Sequence, residues 1–150
     1  MAPLAGLQHG FPIAKTMERY DPDQPIDPEE WTALDEAERQ YLVERFHRKR
    51  RIRLPNLRLH TAIHVVVENQ VAIGSEIPVQ SVLARLMGEG LSRHDAIHAI
   101  GSVLSGHMFD LMQGNVEGQD VNAAYYKQLT ELTAESWLKS SDDETEEELE

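Results

Sequence analysis

Residues 59–70 read Leu59-His60-Thr61-Ala62-Ile63-His64-Val65-Val66-Val67-Glu68-Asn69-Gln70. His60, His64 and Glu68 stand four apart, so on a helix one face carries all three, drifting slowly around the axis. The pattern returns in Ser92-Arg93-His94-Asp95-Ala96-Ile97-His98-Ala99-Ile100-Gly101, where two imidazoles again share a face. Continuing that stripe gives Gly101, Ser105 and Met108, and small residues there let a partner helix come close. Two helices with matching polar stripes, joined by enough chain to return side by side, point to an all-α protein.

The flanking sequence extends this to a compact bundle of about five helices. Asp27-Pro28-Glu29-Glu30 combines a capping Asp, a Pro suited to the first helical position and acids at the positive pole. The spacing of Trp31, Leu34, Tyr41, Leu42 and Phe46 predicts one helix from there to about Lys49. Leu54-Pro55-Asn56 breaks the chain, and a second helix is expected from about Leu57 to Ala72, ended by Gly74. Ser75-Glu76-Ile77-Pro78 opens a third, which Gly88 and Gly90 terminate. Ser92 caps a fourth that stops near Gly114, and Asp120 opens a fifth to about Lys139. Residues 27–139 thus read as a single helical domain. Residues 1–26, with four prolines and two glycines, read as a flexible arm, and residues 140–150 as an acidic disordered tail.

Composition bounds the chemistry. At 150 residues the chain has room for one hydrophobic core. It has no cysteine, which removes disulfides, thiolate zinc sites and iron–sulfur ligation, and suits a reducing cytoplasm. No apolar run approaches a membrane span and the N-terminus has no basic signal region, so a cytoplasmic protein without membrane contact is expected. The net charge of -12 makes nucleic acid an unfavourable partner. Against it stands one basic run, His47-Arg48-Lys49-Arg50-Arg51-Ile52-Arg53, read as a cationic helix end facing the negative pole of the macrodipole.

The two His pairs carry the functional reading. Imidazoles at i and i+4 can chelate one ion, and two facing helices supply His60, His64, His94 and His98, with Glu68 or Asp95 as a further ligand or an orienting group. Glu44-Arg45-Phe46-His47 in the first helix has the Glu-x-x-His spacing of helical di-metal sites and adds Glu44 and His47 to the candidates. Imidazole with carboxylate suits zinc, iron, manganese or nickel. His9 and His107 lie outside this constellation. The competing expectation is a hydrogen-bonded histidine network without metal.

The segments Asn56–His64, Glu68-Asn69-Gln70 and Arg93–His98 resemble a bacterial family catalogued as a domain of unknown function. In that family a Leu-His-x-x-x-His helix ending in Gln is followed, after a Pro-started helix and a Gly, by a second His-x-x-x-His helix. The segment Asp27–His47, with Asp35-Glu36-x-Glu38-Arg39, is similar to the family's first helix. The resemblance covers roughly residues 27–112 and implies an all-helical bacterial protein. It brings no activity, substrate or ligand set with it.

Two functions follow as expectations. One is a helical protein binding a divalent transition metal through clustered histidines. A sharper form would be a phosphohydrolase of the His-Asp superfamily using His64, His94-Asp95 and Asp110 or Asp120. Against that form, Ser92-Arg93 precedes the doublet where an apolar run is usual, and His98 has no place in the pattern. The other function is a non-enzymatic interaction or adaptor protein with a structural histidine network and an unidentified protein partner. No nucleophile elbow, phosphate-cradling glycine loop or dinucleotide fingerprint favours a particular enzyme class.

Overall fold

In a computed structural model of the chain, residues 17–49, 57–115 and 120–140 are described. The start of the expected arm, most of the basic run, the Leu54-Pro55-Asn56 break and the acidic tail lie outside them. The described residues are helical, with no strand. The helices are α1 (Pro28–Ala33), α2 (Glu36–Lys49), α3 (Leu57–Ile73), α4 (Val79–Gly88), α5 (Arg93–Met112) and α6 (Val121–Glu131), followed by a helical segment over 134–140.

Capping chemistry sets most of the boundaries. Asp27 accepts the Glu29 N–H with Pro28 at the first helical position, Ser92 Oγ accepts from Asp95 N, and Asp120 accepts from Asn122 N. Gly74, Gly90 and Gly114 have positive φ, the left-handed conformation that ends a helix at low steric expense. One correction concerns α4, which begins at Val79, after a single 3₁₀ turn over Gly74–Glu76, rather than at Ser75.

Two expected helices are each two. The first breaks at Leu34-Asp35, where Asp35 accepts the Glu38 N–H and so caps α2 afresh. Arg39 secures the corner by donating to the carbonyls of Trp31 and Thr32, two of the last acceptors of α1. The last breaks at Leu132-Thr133, where Thr133 and Ser136 exchange side-chain and backbone hydrogen bonds as a new start. Arg85 donates to the carbonyls of Leu129 and Leu132, closing the end of α6 in the same manner.

α3 is the central element and packs on α1, α2, α4 and α5. Its Val67 belongs to a large core with Val82, Leu86, Ile97, Ile100, Leu104, Tyr125 and Leu129. Its Val65 belongs to a smaller one with Tyr20, Trp31, Leu34, Leu42 and Val43. Trp31 is fully buried, and its indole N–H donates to Asn69 on α3. The polar stripe of α3 faces α2 and α5. Among the described residues no helix is long and apolar enough to cross a membrane.

Candidate metal centre

The stripe exists because α3 and α5 approach closely where Gly101 offers no side chain. A Cβ there would meet Ile63 Cγ2 at 3.1 Å, tighter than ordinary contact. One helical turn N-terminal to that crossing, His98 and then His94 project toward His64 and His60. α2 delivers His47 from its last turn.

One ring nitrogen from each of His47, His64, His94 and His98 lies within 4.8 Å of the others, so these four can hold a metal ion. His47 and His64 are buried, while His94 and His98 are half-buried. His94 Nε2 and His98 Nε2 stand 3.0 Å apart. His60 flanks the group, its ring centroid 4.7 Å from that of His47 and 4.9 Å from that of His98.

Hydrogen bonding decides which nitrogen faces inward. A carbonyl only accepts, so the 2.8 Å contact between His47 Nδ1 and Val43 O makes Nδ1 the protonated atom and leaves the lone pair on Nε2. His64 is fixed by a longer relay. Arg93 donates to both oxygens of Glu68, at 2.7 and 2.9 Å, and also to Pro22 O. The Tyr20 hydroxyl spends its one proton on Glu68 Oε2 at 2.5 Å. The 2.8 Å contact of Tyr20 with His64 Nδ1 is therefore a bond donated by the imidazole, and His64 Nε2 is the free lone pair.

The Nε2 atoms of His47, His60 and His64 are buried without a hydrogen-bond partner in the protein. Buried polar atoms are nearly always matched, and leaving one unmatched costs about 1–3 kcal/mol. Thr61 Oγ1 and both ring nitrogens of His107 are likewise unpartnered outside the cluster, so what distinguishes these three is that they crowd into one group of rings.

Electrostatics favours the neutral form of His47, His60, His64 and His98. Burial lowers the pKa of His98 to about 3, helped by the neighbouring His94, His60 and His47. Burial lowers His60 to about 4, with His47 and His94 adding to it. His64 falls well below the usual imidazole value for the same reasons, and His47 is lowered by burial against the opposing pull of its bond to Val43. Burial next to the Glu68 charge raises the Tyr20 hydroxyl well above its normal range, so it stays protonated. Neutral imidazole is the form that binds metal.

Among the eight candidate residues, then, the structure brings His47, His64, His94 and His98 together, with His60 alongside. Glu68 is buried behind His64 and engaged by Tyr20 and Arg93, one layer away from the ring nitrogens. Glu44 points away and pairs with Arg48 in a surface i,i+4 bridge. Asp95 sits in the first turn of α5, where its backbone N–H meets Ser92 Oγ, and it is outside the group. Asp110 lies 16 residues beyond His94 on the same helix, about 24 Å along the axis. Asp120 caps α6. The His-Asp frame is therefore not assembled.

Two residues escaped the sequence reading. Arg93 stands next to His94 in the motif itself, and a lone Arg before a His pair was a signal available to read. Tyr20 comes from the expected flexible arm, whose described end instead packs. Tyr20 is buried, Pro22 O accepts from Arg93, and Asp23 Oδ1 accepts the His94 N–H at 3.1 Å. His107 is also buried, outside the centre, with its ring stacked on Tyr125. Compared with protein-family models, curated proteins and solved structures, the chain finds no match, and the site is read from its own residues.

Proposed function

We propose that this protein binds one divalent transition-metal ion through the Nε2 atoms of His47, His64, His94 and His98. The observation that carries the reading is the orphaned, inward-facing Nε2 of buried His47 and His64, each with its Nδ1 proton already committed elsewhere. The ring-to-ring bond between His94 and His98 leaves both of those atoms unmatched, with their lone pairs close to the other two rings. Ligation by nitrogen at about 2.0–2.1 Å in a tetrahedron puts the donors about 3.3 Å apart. The His94–His98 separation already suits this, and small side-chain rotations bring in the other two. An all-imidazole set favours zinc, with nickel or iron as competitors, over magnesium or calcium.

Glu68 acts from behind, through Tyr20, as the carboxylate that orients His64 and raises its basicity. Inductively coupled plasma mass spectrometry on untagged full-length protein should find near one equivalent of a transition metal. His64→Ala and His98→Ala should lose it, while Glu44→Ala should retain it. Absence of metal from the wild type after reconstitution with zinc, nickel or iron would return the cluster to a structural role.

A further inference from the structure

A second site lies one layer outside the imidazoles. A cavity of about 230 Å³ is lined by Arg19, Tyr20, Asp21, Leu42, Arg45, Phe46 and Lys49. Three cations converge on it from two separate parts of the chain, Arg19 from the extended segment and Arg45 and Lys49 from successive turns of α2. Among the described residues none of the three has an acidic partner. Arg48, on the same helix, is spent on Glu44. The one acid at the cavity, Asp21, has a carboxylate oxygen turned back to accept the Asp23 N–H within its own loop. In a chain of net charge -12, a half-open pocket lined by three cations against one acid is a local reversal of the field.

The rest of the wall is largely apolar. Tyr20 and Phe46 meet edge to face with centroids 6.0 Å apart, and Leu42 is buried beside them. Phe46 also packs edge-on against His47 and His94, so the two aromatic rings form the partition between this cavity and the histidines. The volume is below the roughly 300–1,000 Å³ of pockets that take drug-sized ligands. A small molecule with one anionic head and a compact apolar body fits these terms.

We propose that this cavity binds a small organic anion, its carboxylate or phosphate head held by Arg45, Lys49 and Arg19 and its apolar body against Tyr20 and Phe46. Arginine offers the planar fork that matches either head group, and lysine adds a point charge. The site draws on no metal ligand, so it stands whether or not the histidines carry an ion. It also gives the described part of the basic run a use beyond closing a helix end.

Isothermal titration calorimetry of the full-length protein with phenyl phosphate and with benzoate tests this. Saturable one-to-one binding of at least one probe is expected, and the tighter of the two identifies the head group. Arg45→Gln and Lys49→Gln should each weaken it about tenfold or more, as loss of a charge-assisted bond does. Arg48→Gln removes the same charge from the neighbouring surface and should leave affinity unchanged. Lack of saturable binding by either probe at millimolar concentration overturns the site, and so does an equal loss in the Arg48 variant, which would reduce the effect to net charge.

Discussion

Glu68 and Arg93 are 2% and 5% exposed and meet through two hydrogen bonds, so neither charge has water to fall back on. Glu68→Gln keeps the shape and removes the counter-charge, leaving the guanidinium buried and uncompensated. Unfolding by denaturant should show a loss of about 3–5 kcal/mol. Tyr20→Phe is the complementary change, because it spares the ion pair and deprives the His64 Nδ1 proton of its acceptor. There the fold should hold while zinc affinity drops about 10–100-fold in a chelator competition. Equal effects of the two variants on stability and affinity would show that the relay has no separate orienting role. The four-residue spacing placed Glu68 on the correct face and suggested a ligand. Its diversion to Arg93 depends on where α5 lands, which no local pattern reports. Tyr20 was illegible for a stronger reason, since its partners are 44 and 48 residues away and its own neighbourhood has no helical period.

At the level of elements, the caps Asp27, Ser92 and Asp120 and the terminating glycines were readable because each acts within one turn. The breaks at Leu34-Asp35 and Leu132-Thr133 were missed although their signals are also local. Asp35-Glu36-Ala37-Glu38 has the form of a helix start, but the apolar stripe through Trp31, Leu34 and Leu42 continues across it. What the stripe hid is that Tyr41 is largely exposed and that Arg39 turns the corner. The crossing of α3 and α5 gives a sharper test through two glycines on one helix. Gly106→Ala meets nothing within 4 Å and should stabilise the protein by up to about 1 kcal/mol through helix propensity. Gly101→Ala has the same propensity gain but drives a methyl against Ile63, and should lower the melting temperature relative to Gly106→Ala and weaken zinc binding. If the two alanines behave alike in thermal melts and metal titrations, the close approach does not set the site.

For the molecule as a whole, four neighbouring imidazoles of lowered pKa make stability a function of pH. In the folded, metal-free protein His98 titrates at about 3 and His60 at about 4, and His47 and His64 are also lowered, whereas the unfolded chain takes protons near 6.5. Below that value the unfolded state binds more protons, so stability is full above about pH 6.5 and is lost progressively as pH falls toward 4 and 3. Urea midpoints measured from pH 7.5 to 4 should decline over that window, and His60→Ala with His98→Ala should flatten the decline. A midpoint that stays level to pH 5 would contradict the neutral cluster. The closure of Arg93 on Pro22 spans 71 residues, and that of Tyr20 on His64 spans 44. Loops of that length carry an entropic charge that local helices do not, so they form late on the route to the native state. The hold of Tyr20 and Pro22 on the centre therefore has little presence at the folding barrier. In kinetic terms metal is a brake on departure rather than a guide on arrival. Stopped-flow refolding should run at the same rate with and without zinc, while unfolding slows in proportion to the occupied fraction, and a chain newly made should fold first and be metallated afterwards.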